Sequence, residues 1–295
     1  MTRPRLFCFG LGYSARVLAA RLRAAGWAVA GTTQHPDKRA ALEAEGYQAF
    51  LMDRGHPLAD AAGALAGTTH LLSSVPPDSL GDAVLDQHLG DLRAIANLAW
   101  AGYLSTTGVY GDTGGAVVDE TALVAPTSER SRRRAEAEAR WRVSGLPIHV
   151  FRLPGIYGPG SSALDKVRAG EARRIDRPGH RFCRIHVEDI AEVLTASMRR
   201  PNPGAVYNVC DDEPASPAEV TAFACRLLGM EPPPLEPFAE AAKAMSAMAL
   251  SFWNDNRAVA NGRIKQELGV VLKYPDYRTG LAAIRKAESP GSDRR

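Results

Sequence analysis

Short runs of hydrophobic residues alternate along this chain with segments whose hydrophobic residues recur every three or four positions. The first kind of run predicts a buried strand, and the second predicts an amphipathic helix. Strands are predicted at 5–9, 27–33, 47–52, 70–75, 102–106 and 147–153. Helices are predicted between them, and this alternation is typical of a parallel sheet that is covered on both faces.

After residue 160 the pattern is looser, but strands and helices still alternate. SALDKVRAG and EDIAEVLTASMRR predict helices, and RFCRIHV and GAVYNVC predict strands. SPAEVTAFACRLLG predicts a helix with Ser216 as its cap and Pro217 at the first helical position. The proline-rich EPPPLEPF is a predicted connector, and helices are predicted around 238–248 and 258–268.

Length and charge exclude several classes of function. The chain has 295 residues, 45% of them hydrophobic and 23% charged, which suits a soluble protein with one large domain or one large and one small domain. Its 36 basic and 33 acidic residues give a net charge of +3, too balanced to indicate a nucleic-acid partner. No apolar run reaches the roughly 18 residues of a membrane span. We therefore expect a cytoplasmic protein.

The four cysteines do not have the spacing of a metal site, so we predict no bound metal. We interpret them as small buried residues in a reducing compartment. None has the surroundings of a nucleophile. They are Cys8, Cys183, Cys210 and Cys225.

The segment FCFGLGYSARVLA carries the clearest functional motif. Gly10, Gly12 and Ala15 form G-x-G-x-x-A between the first strand and the first helix. The first glycine permits a tight turn, the second lets the backbone approach a pyrophosphate, and the alanine permits close helix packing. The pyrophosphate would lie at the helix N-terminus, where free N–H groups favour an anion. We predict a dinucleotide site, with a tight turn that binds no ligand as the alternative.

The end of the second strand favours NADP over NAD. An enzyme that prefers NAD usually ends this strand with an acidic residue, which binds the ribose diol. Here Thr32, Thr33 and Gln34 stand in that place. The groups that follow and could attract a 2′-phosphate are His35, Lys38 and Arg39. A solvated helix start is the alternative interpretation of these basic residues.

Three further segments resemble the extended short-chain dehydrogenase/reductase superfamily, and within it the NAD-dependent epimerase/dehydratase group. They are STTGVYGD at 105–112, FRLPGIYGPG at 151–160 and RIHVEDIA at 184–191. With the front motif they cover nearly the whole chain in order. The resemblance implies an α/β fold, with a Rossmann-type doubly wound parallel sheet and a smaller C-terminal α/β substrate lobe.

The same resemblance implies domain boundaries. Residues 1–160 would form the NAD(P)-binding Rossmann domain, completed by about 183–210. Residues 161–182 and 211–287 would form the small substrate-binding lobe. Residues 288–295 are expected to be a flexible tail.

The resemblance also assigns roles around the cleft. In the family, a Ser or Thr three residues before the valine of VYG hydrogen-bonds the reacting oxygen, and here that residue is Thr106. RLPGIYGPG, which contains Pro154, resembles the stretch that closes the nicotinamide side. Asp53 follows the third strand and is placed to meet the adenine edge. The predicted cofactor contacts are Gly10, Gly12, Tyr13, Ser14, Ala15, Thr33, Gln34, Asp53, Ser74, Arg132 and Pro154.

The helix after VYG departs from the family pattern. The family carries Y-x-x-x-K shortly before an Ala-Glu pair, and counting back from Ala135 and Glu136 puts Ser128 at the tyrosine and Arg132 at the lysine. A serine hydroxyl is a weak acid, and an arginine does not release its proton. We expect Arg132 to bind the nicotinamide ribose, and the usual proton relay to be lost.

Other groups in the pocket-forming motifs are candidates to supply the proton. They are Tyr110, Tyr157 and His186, with packing or a place in the pocket wall as the alternative role. Thr106, Tyr110 and Arg132 are the predicted catalytic residues. The arginines at 130, 133 and 134 predict a solvated helix face.

The substrate is less well indicated. Nucleotide-sugar members of the family usually carry an arginine three residues before IHV, where this chain has Phe182. A small molecule such as a sugar or a nucleotide sugar stays a candidate. Two functions stay open: an NADP-binding oxidoreductase or epimerase-like enzyme with an atypical active site, or a non-catalytic dinucleotide-binding protein that reports redox state.

Overall fold

The described part of the chain, residues 3–288 of a computed structural model, contains thirteen strands, twelve α-helices and a short 3-10 helix at Thr107–Tyr110. The strands are β1 Arg5–Phe9, β2 Ala28–Thr33, β3 Gln48–Leu51, β4 His70–Ser73, β5 Trp100–Thr106, β6 Val117–Val118, β7 Ile148–Leu153, β8 Gly155–Tyr157, β9 Arg174–Asp176, β10 Arg184–His186, β11 Val206–Asn208, β12 Leu235–Pro237 and β13 Ala258–Val259. The helices are α1 Tyr13–Ala24, α2 Pro36–Ala44, α3 Ala61–Leu65, α4 Ala83–Arg93, α5 Glu129–Arg142, α6 Ala163–Arg168, α7 Val187–Arg199, α8 Pro217–Leu228, α9 Phe238–Lys243, α10 Ala247–Asn254, α11 Gly262–Leu268 and α12 Tyr277–Ala287.

Seven parallel strands form the central sheet, in the order β11-β7-β5-β4-β1-β2-β3. The chain builds outward from β1 to β3, returns to β4 beside β1, and then builds outward on the other side. The carboxyl ends of β1 and β4 therefore flank a topological switch point, where α/β sheets bind their ligands. The predicted α/β fold with a doubly wound parallel sheet is confirmed, and the predicted 204–210 strand is the seventh strand.

Both faces of the sheet are buried. Leu6 and Cys8 of β1 belong to one apolar cluster, which α1 and α7 cover, whereas Phe7 and Phe9 belong to another on the opposite face. This follows from the strand repeat, because successive side chains point to opposite faces. Near the C-terminus, α6, α8 and α12 pack around a further apolar cluster.

Several predicted elements beyond residue 160 need correction. The predicted strand RFCRIHV is reduced to β10, which pairs with β8 outside the main sheet. The predicted helix at 238–248 is divided into α9 and α10, and 258–259 is strand β13, which pairs with β6. The sequence pattern did not predict α12. Apart from Glu288, the predicted tail at 288–295 lies outside the described residues.

A buried ion pair joins α5 to the sheet. Glu138 accepts a hydrogen bond from Ser105 Oγ at 2.9 Å and another from Arg152 Nε at 3.2 Å, and its second oxygen accepts from Arg152 Nη2. Arg152 Nη1 donates to the Tyr110 hydroxyl at 2.8 Å, which donates to Asn208 at 2.7 Å. Glu138 and Arg152 are each 3% exposed. The network thus fixes α5 against β5, β7 and β11.

We predict that Glu138→Ala lowers the free energy of unfolding by about 3–5 kcal/mol, because it leaves the Arg152 charge buried without a partner. Glu136→Ala, an exposed change on the same helix, is the matched control and should stay within about 0.5 kcal/mol of wild type. Denaturant unfolding of the two variants measures both values. Equal costs for the two substitutions would contradict the role given to the ion pair.

Candidate functional site

The glycine turn at the end of β1 is held by hydrogen bonds from residues of both neighbouring strands, β2 and β4. Gly10 has φ 80°, a left-handed conformation that glycine adopts readily. Its N–H donates to Thr32 Oγ1 at 2.9 Å, and its carbonyl oxygen accepts a hydrogen bond from Ser74 Oγ. Thr32 therefore holds the turn from β2, and the predicted contact Ser74 holds it from β4.

The N-terminus of α1 faces open space. Gly12 is its N-cap and supplies no capping side chain, and a Cβ atom placed on Gly12 would meet no atom within 4 Å. The side chains of Ser14 and Ala15 are buried, so a ligand here would contact the backbone of these residues. The Tyr13 hydroxyl donates to the Pro159 carbonyl at 3.0 Å. The turn thus fits a dinucleotide diphosphate, which backbone N–H groups bind at such helix ends.

The residues predicted on the adenosine side lie at the ends of β2 and β3. Gln34 is exposed, and Thr33 Oγ1 accepts from the His35 N–H at 3.4 Å. Asp53 Oδ1 accepts hydrogen bonds from the Gly55 and His56 N–H groups and so shapes its own turn. The hydrogen bond from the His56 side chain is the main cause that lowers the pKa of Asp53. No acidic residue stands at positions 33–35.

A cavity of about 650 Å³ opens at the carboxyl ends of β5 and β7. Thr106, Ser128 and Pro154 are among its lining residues. Thr106 Oγ1 accepts a hydrogen bond from the Gly108 N–H at 3.1 Å. Because a hydroxyl both donates and accepts, the Thr106 proton stays available to an oxygen atom in the cavity. A second cavity, of about 350 Å³, lies at the opposite edge of the sheet, beside the segments that precede β4 and β5.

The predicted position of Arg132 is wrong. Its side chain is about half exposed. Nη1 donates a hydrogen bond to the Thr127 carbonyl at 2.8 Å, and Nε donates one to Glu129 at 3.2 Å. The cavity is lined instead by Arg130 and Arg134, which share one helix face because they are four residues apart. The predicted register counted back from the first of two Ala-Glu pairs.

The second pair, Ala137 and Glu138, is the buried one. The residues of α5 that face the cavity are therefore two positions further along the chain than predicted. Ser128 lines the cavity, but it does so as the N-cap of α5 and accepts from the Ser131 N–H at 3.2 Å. Arg130 is exposed, as expected of a solvated helix face, although it also lines the cavity, whereas Arg134 is half-buried. Arg134 Nη1 donates to the Leu104 carbonyl at 2.8 Å.

The alternative proton donors lie in the protein interior. Tyr110 is 2% exposed, and its hydroxyl donates to Asn208 and accepts from Arg152. Burial is the main cause that raises the pKa of Tyr110. Burial also raises the pKa of Tyr157, whose hydroxyl donates to the Asp276 carbonyl at 3.3 Å. His186 caps α7, and burial lowers its pKa to about 4. The structure does not bring these three side chains to the cavity lining.

The cavity carries an excess of positive charge. Its charged lining residues are seven basic ones, Arg130, Arg134, Lys166, Arg173, Arg181, Arg184 and Arg257, against two acidic ones, Glu171 and Asp255. Behind this wall lies Asp211, 3% exposed, whose carboxylate oxygens have no hydrogen-bond partner among the described residues. Burial raises the pKa of Asp211 to about 8, although the Arg184 charge opposes the shift.

The four cysteines are free and buried, as predicted. In residues 3–288 we find no group of three or more His, Cys, Asp and Glu side chains arranged to hold a metal ion. None of the helices within that range has the length and apolar character needed to cross a membrane.

Comparison with known proteins gives both close and distant relatives. No protein-family model matches the chain. Protein YeeZ of Escherichia coli K12 is 29% identical over 281 residues, 90% of this chain and 95% of that protein. A 3-diazoavenalumate denitrifying reductase of a Streptomyces species is 30% identical over 156 residues, which is 51% of each chain.

Solved structures extend the comparison. A conserved protein of unknown function from Silicibacter pomeroyi is 49% identical, with a TM-score of 0.87 over 97% of this chain and 99% of that one. A dTDP-glucose 4,6-dehydratase from Bacillus anthracis in complex with NAD has a TM-score of 0.76 at 16% identity, covering 97% and 96%. Human epimerase family protein SDR39U1 with NADPH has a TM-score of 0.73 at 18% identity, covering 96% and 99%.

These two distant structures share the fold of this chain. At 49% identity over nearly its whole length, the chain belongs to the same family as the conserved Silicibacter pomeroyi protein, and its fold is that of NAD-dependent epimerase/dehydratase structures.

Proposed function

We propose that the protein is an NADP(H)-dependent oxidoreductase that transfers a hydride to or from a small molecule bound beside Thr106. One observation carries this proposal. The open, uncapped turn at Gly12 and the cavity at Thr106 and Pro154 both lie at the carboxyl edge of one parallel sheet, where α/β enzymes bind their cofactors and substrates. The NAD or NADPH in neighbouring structures and the reductase named among the relatives support the same activity.

Candidate groups are present for each part of the dinucleotide. Backbone N–H groups at 12–15 would bind the diphosphate, and Asp53 would meet the adenine. Thr33 and Gln34 carry no charge that repels a 2′-phosphate, and Lys38 lies on the following helix, which favours NADP. When bound, the nicotinamide supplies or accepts the hydride. Pro154 and Thr106 would border its ring.

Arg130 and Arg134 would occupy the positions at which the resembling family carries its tyrosine and lysine. Arg134 then replaces Arg132 as the candidate to bind the nicotinamide ribose. Neither guanidinium releases a proton, but both can stabilise negative charge on a bound substrate. Thr106 would donate a hydrogen bond to the reacting oxygen, and proton exchange would take place with water in the open cavity.

A second function is a dinucleotide-binding protein without catalysis that reports redox state. It is favoured by one observation: the cavity lining, within the described part of the chain, includes neither tyrosine nor histidine. The two functions differ in one measurable respect, because only the enzyme oxidises NADPH in the presence of a reducible substrate.

We predict that NADP(H) binds more tightly than NAD(H), because no acid at 33–35 repels a 2′-phosphate. Isothermal titration of both cofactors into the protein measures the difference. Gly12→Glu should abolish the binding of both, since the new side chain enters the diphosphate site with a like charge. Gly90→Glu is the matched control, because Gly90 is an exposed helix residue whose Cβ would meet no atom within 4 Å. Tighter binding of NAD(H) would contradict the cofactor preference.

A further prediction concerns Thr106. With a substrate identified by NADPH oxidation, Thr106→Ala should slow turnover by tens- to hundreds-fold, as the loss of one donor worth about 2–4 kcal/mol in the transition state would. Thr106→Ser keeps the hydroxyl and should retain most of the activity. Cofactor affinity should change little in either variant. Equal turnover in the Ala and Ser variants would remove Thr106 from the reaction.

A further inference from the structure

Arg130 is a cation without a counter-charge in the cavity wall. Its guanidinium carbon lies 5.3 Å from the centre of the Phe252 ring, and the side chain has no hydrogen-bond or ion-pair partner among residues 3–288. A guanidinium stacked on an aromatic face keeps its N–H groups free at the edge. Desolvation, followed by the charge of Arg134, lowers the pKa of Arg130. A bound anion would offset both effects.

Most other cations of the cavity already have acceptors within the protein. Arg173 bonds to Glu236, Arg257 to Asp255, and Arg134 to the Leu104 carbonyl. The remaining arginines also bond to backbone carbonyl groups: Arg181 to Pro214, and Arg184 to Phe182 and Ala215. Among the cations of the cavity lining, Arg130 and Lys166, both exposed, are therefore the two whose side chains have no hydrogen bond or ion pair within residues 3–288.

The wall next to Arg130 is aromatic. Phe252, Trp253 and Phe182 line the cavity, and the Phe182 and Trp253 rings are 5.2 Å apart at 85°. Phe252 lines the cavity and is 50% exposed, so a large part of its apolar side chain is open to solvent. Such a surface favours a planar apolar ligand more than a ring that carries several hydroxyl groups.

We propose that the substrate is a planar aromatic carboxylate, bound through a bidentate pair between its carboxylate and Arg130, with its ring against Phe252 and Trp253. The inference rests on the proposed function, because it names the substrate class of the same cavity. The arginine fork matches the geometry of a single carboxylate. A nucleotide diphosphate carries more charge and is best bound by several cations without partners in the protein, and within the described residues the lining has two, Arg130 and Lys166.

The test titrates three probes into the full-length protein, with and without saturating NADPH. The probes are trans-cinnamate, its neutral isostere cinnamamide, and UDP. Cinnamate should bind, and cinnamamide should bind at least about tenfold more weakly because it lacks the charge. Arg130→Ala should weaken cinnamate binding by about 10- to 100-fold and leave NADPH affinity unchanged.

Arg133→Ala is the matched control. Arg133 lies on the same helix but outside the cavity lining, paired with Glu129, so cinnamate affinity should be unchanged. Equal binding of cinnamate and cinnamamide, no effect of Arg130→Ala, or tighter binding of UDP than of cinnamate would each overturn the inference. Failure of the proposed function has a different signature, because NADPH itself would then not bind.

Discussion

The rotation of α5 is fixed by the buried pair of Glu138 and Arg152, and the character of the cavity follows from that constraint. Glu138 faces Ser105 and Arg152 on the sheet, so residues four and eight positions earlier share its side of the helix. Those residues are Arg134 and Arg130. A helix rotated by two residues would present Ser128 and Arg132 in their place and would bury no carboxylate beside Arg152.

Much of the fold could be predicted from the sequence, because the evidence for it is local. Buried parallel strands are short apolar runs, and the turn at Gly10 and Gly12 is marked by its residue types. The register of α5 is different. The segment contains two Ala-Glu pairs with the same local character, and the choice between Glu136 and Glu138 depends on Arg152, a partner in another element. The same limit applies to β10 and β13, whose short pairings depend on distant segments.

The neighbouring structures explain the fold but not the chemistry of this chain. They share its overall fold, whereas function depends on the side chains at the site. Here the cavity combines a hydroxyl at Thr106, two guanidinium groups on α5 and an aromatic wall at Phe252 and Trp253. This combination suits charge stabilisation and the recognition of an anion better than proton transfer by a side chain.

In the proposed complex, Arg134 faces the reacting end of the cofactor and Arg130 faces the substrate beside it. A crystal structure of the NADP complex tests this arrangement most directly. Our account predicts the nicotinamide ring between Thr106 and Pro154, with Arg134 within hydrogen-bonding distance of the adjoining ribose and Arg130 facing the cavity beside it. Arg132 in the cleft, with Arg130 and Arg134 turned to solvent, would contradict the account.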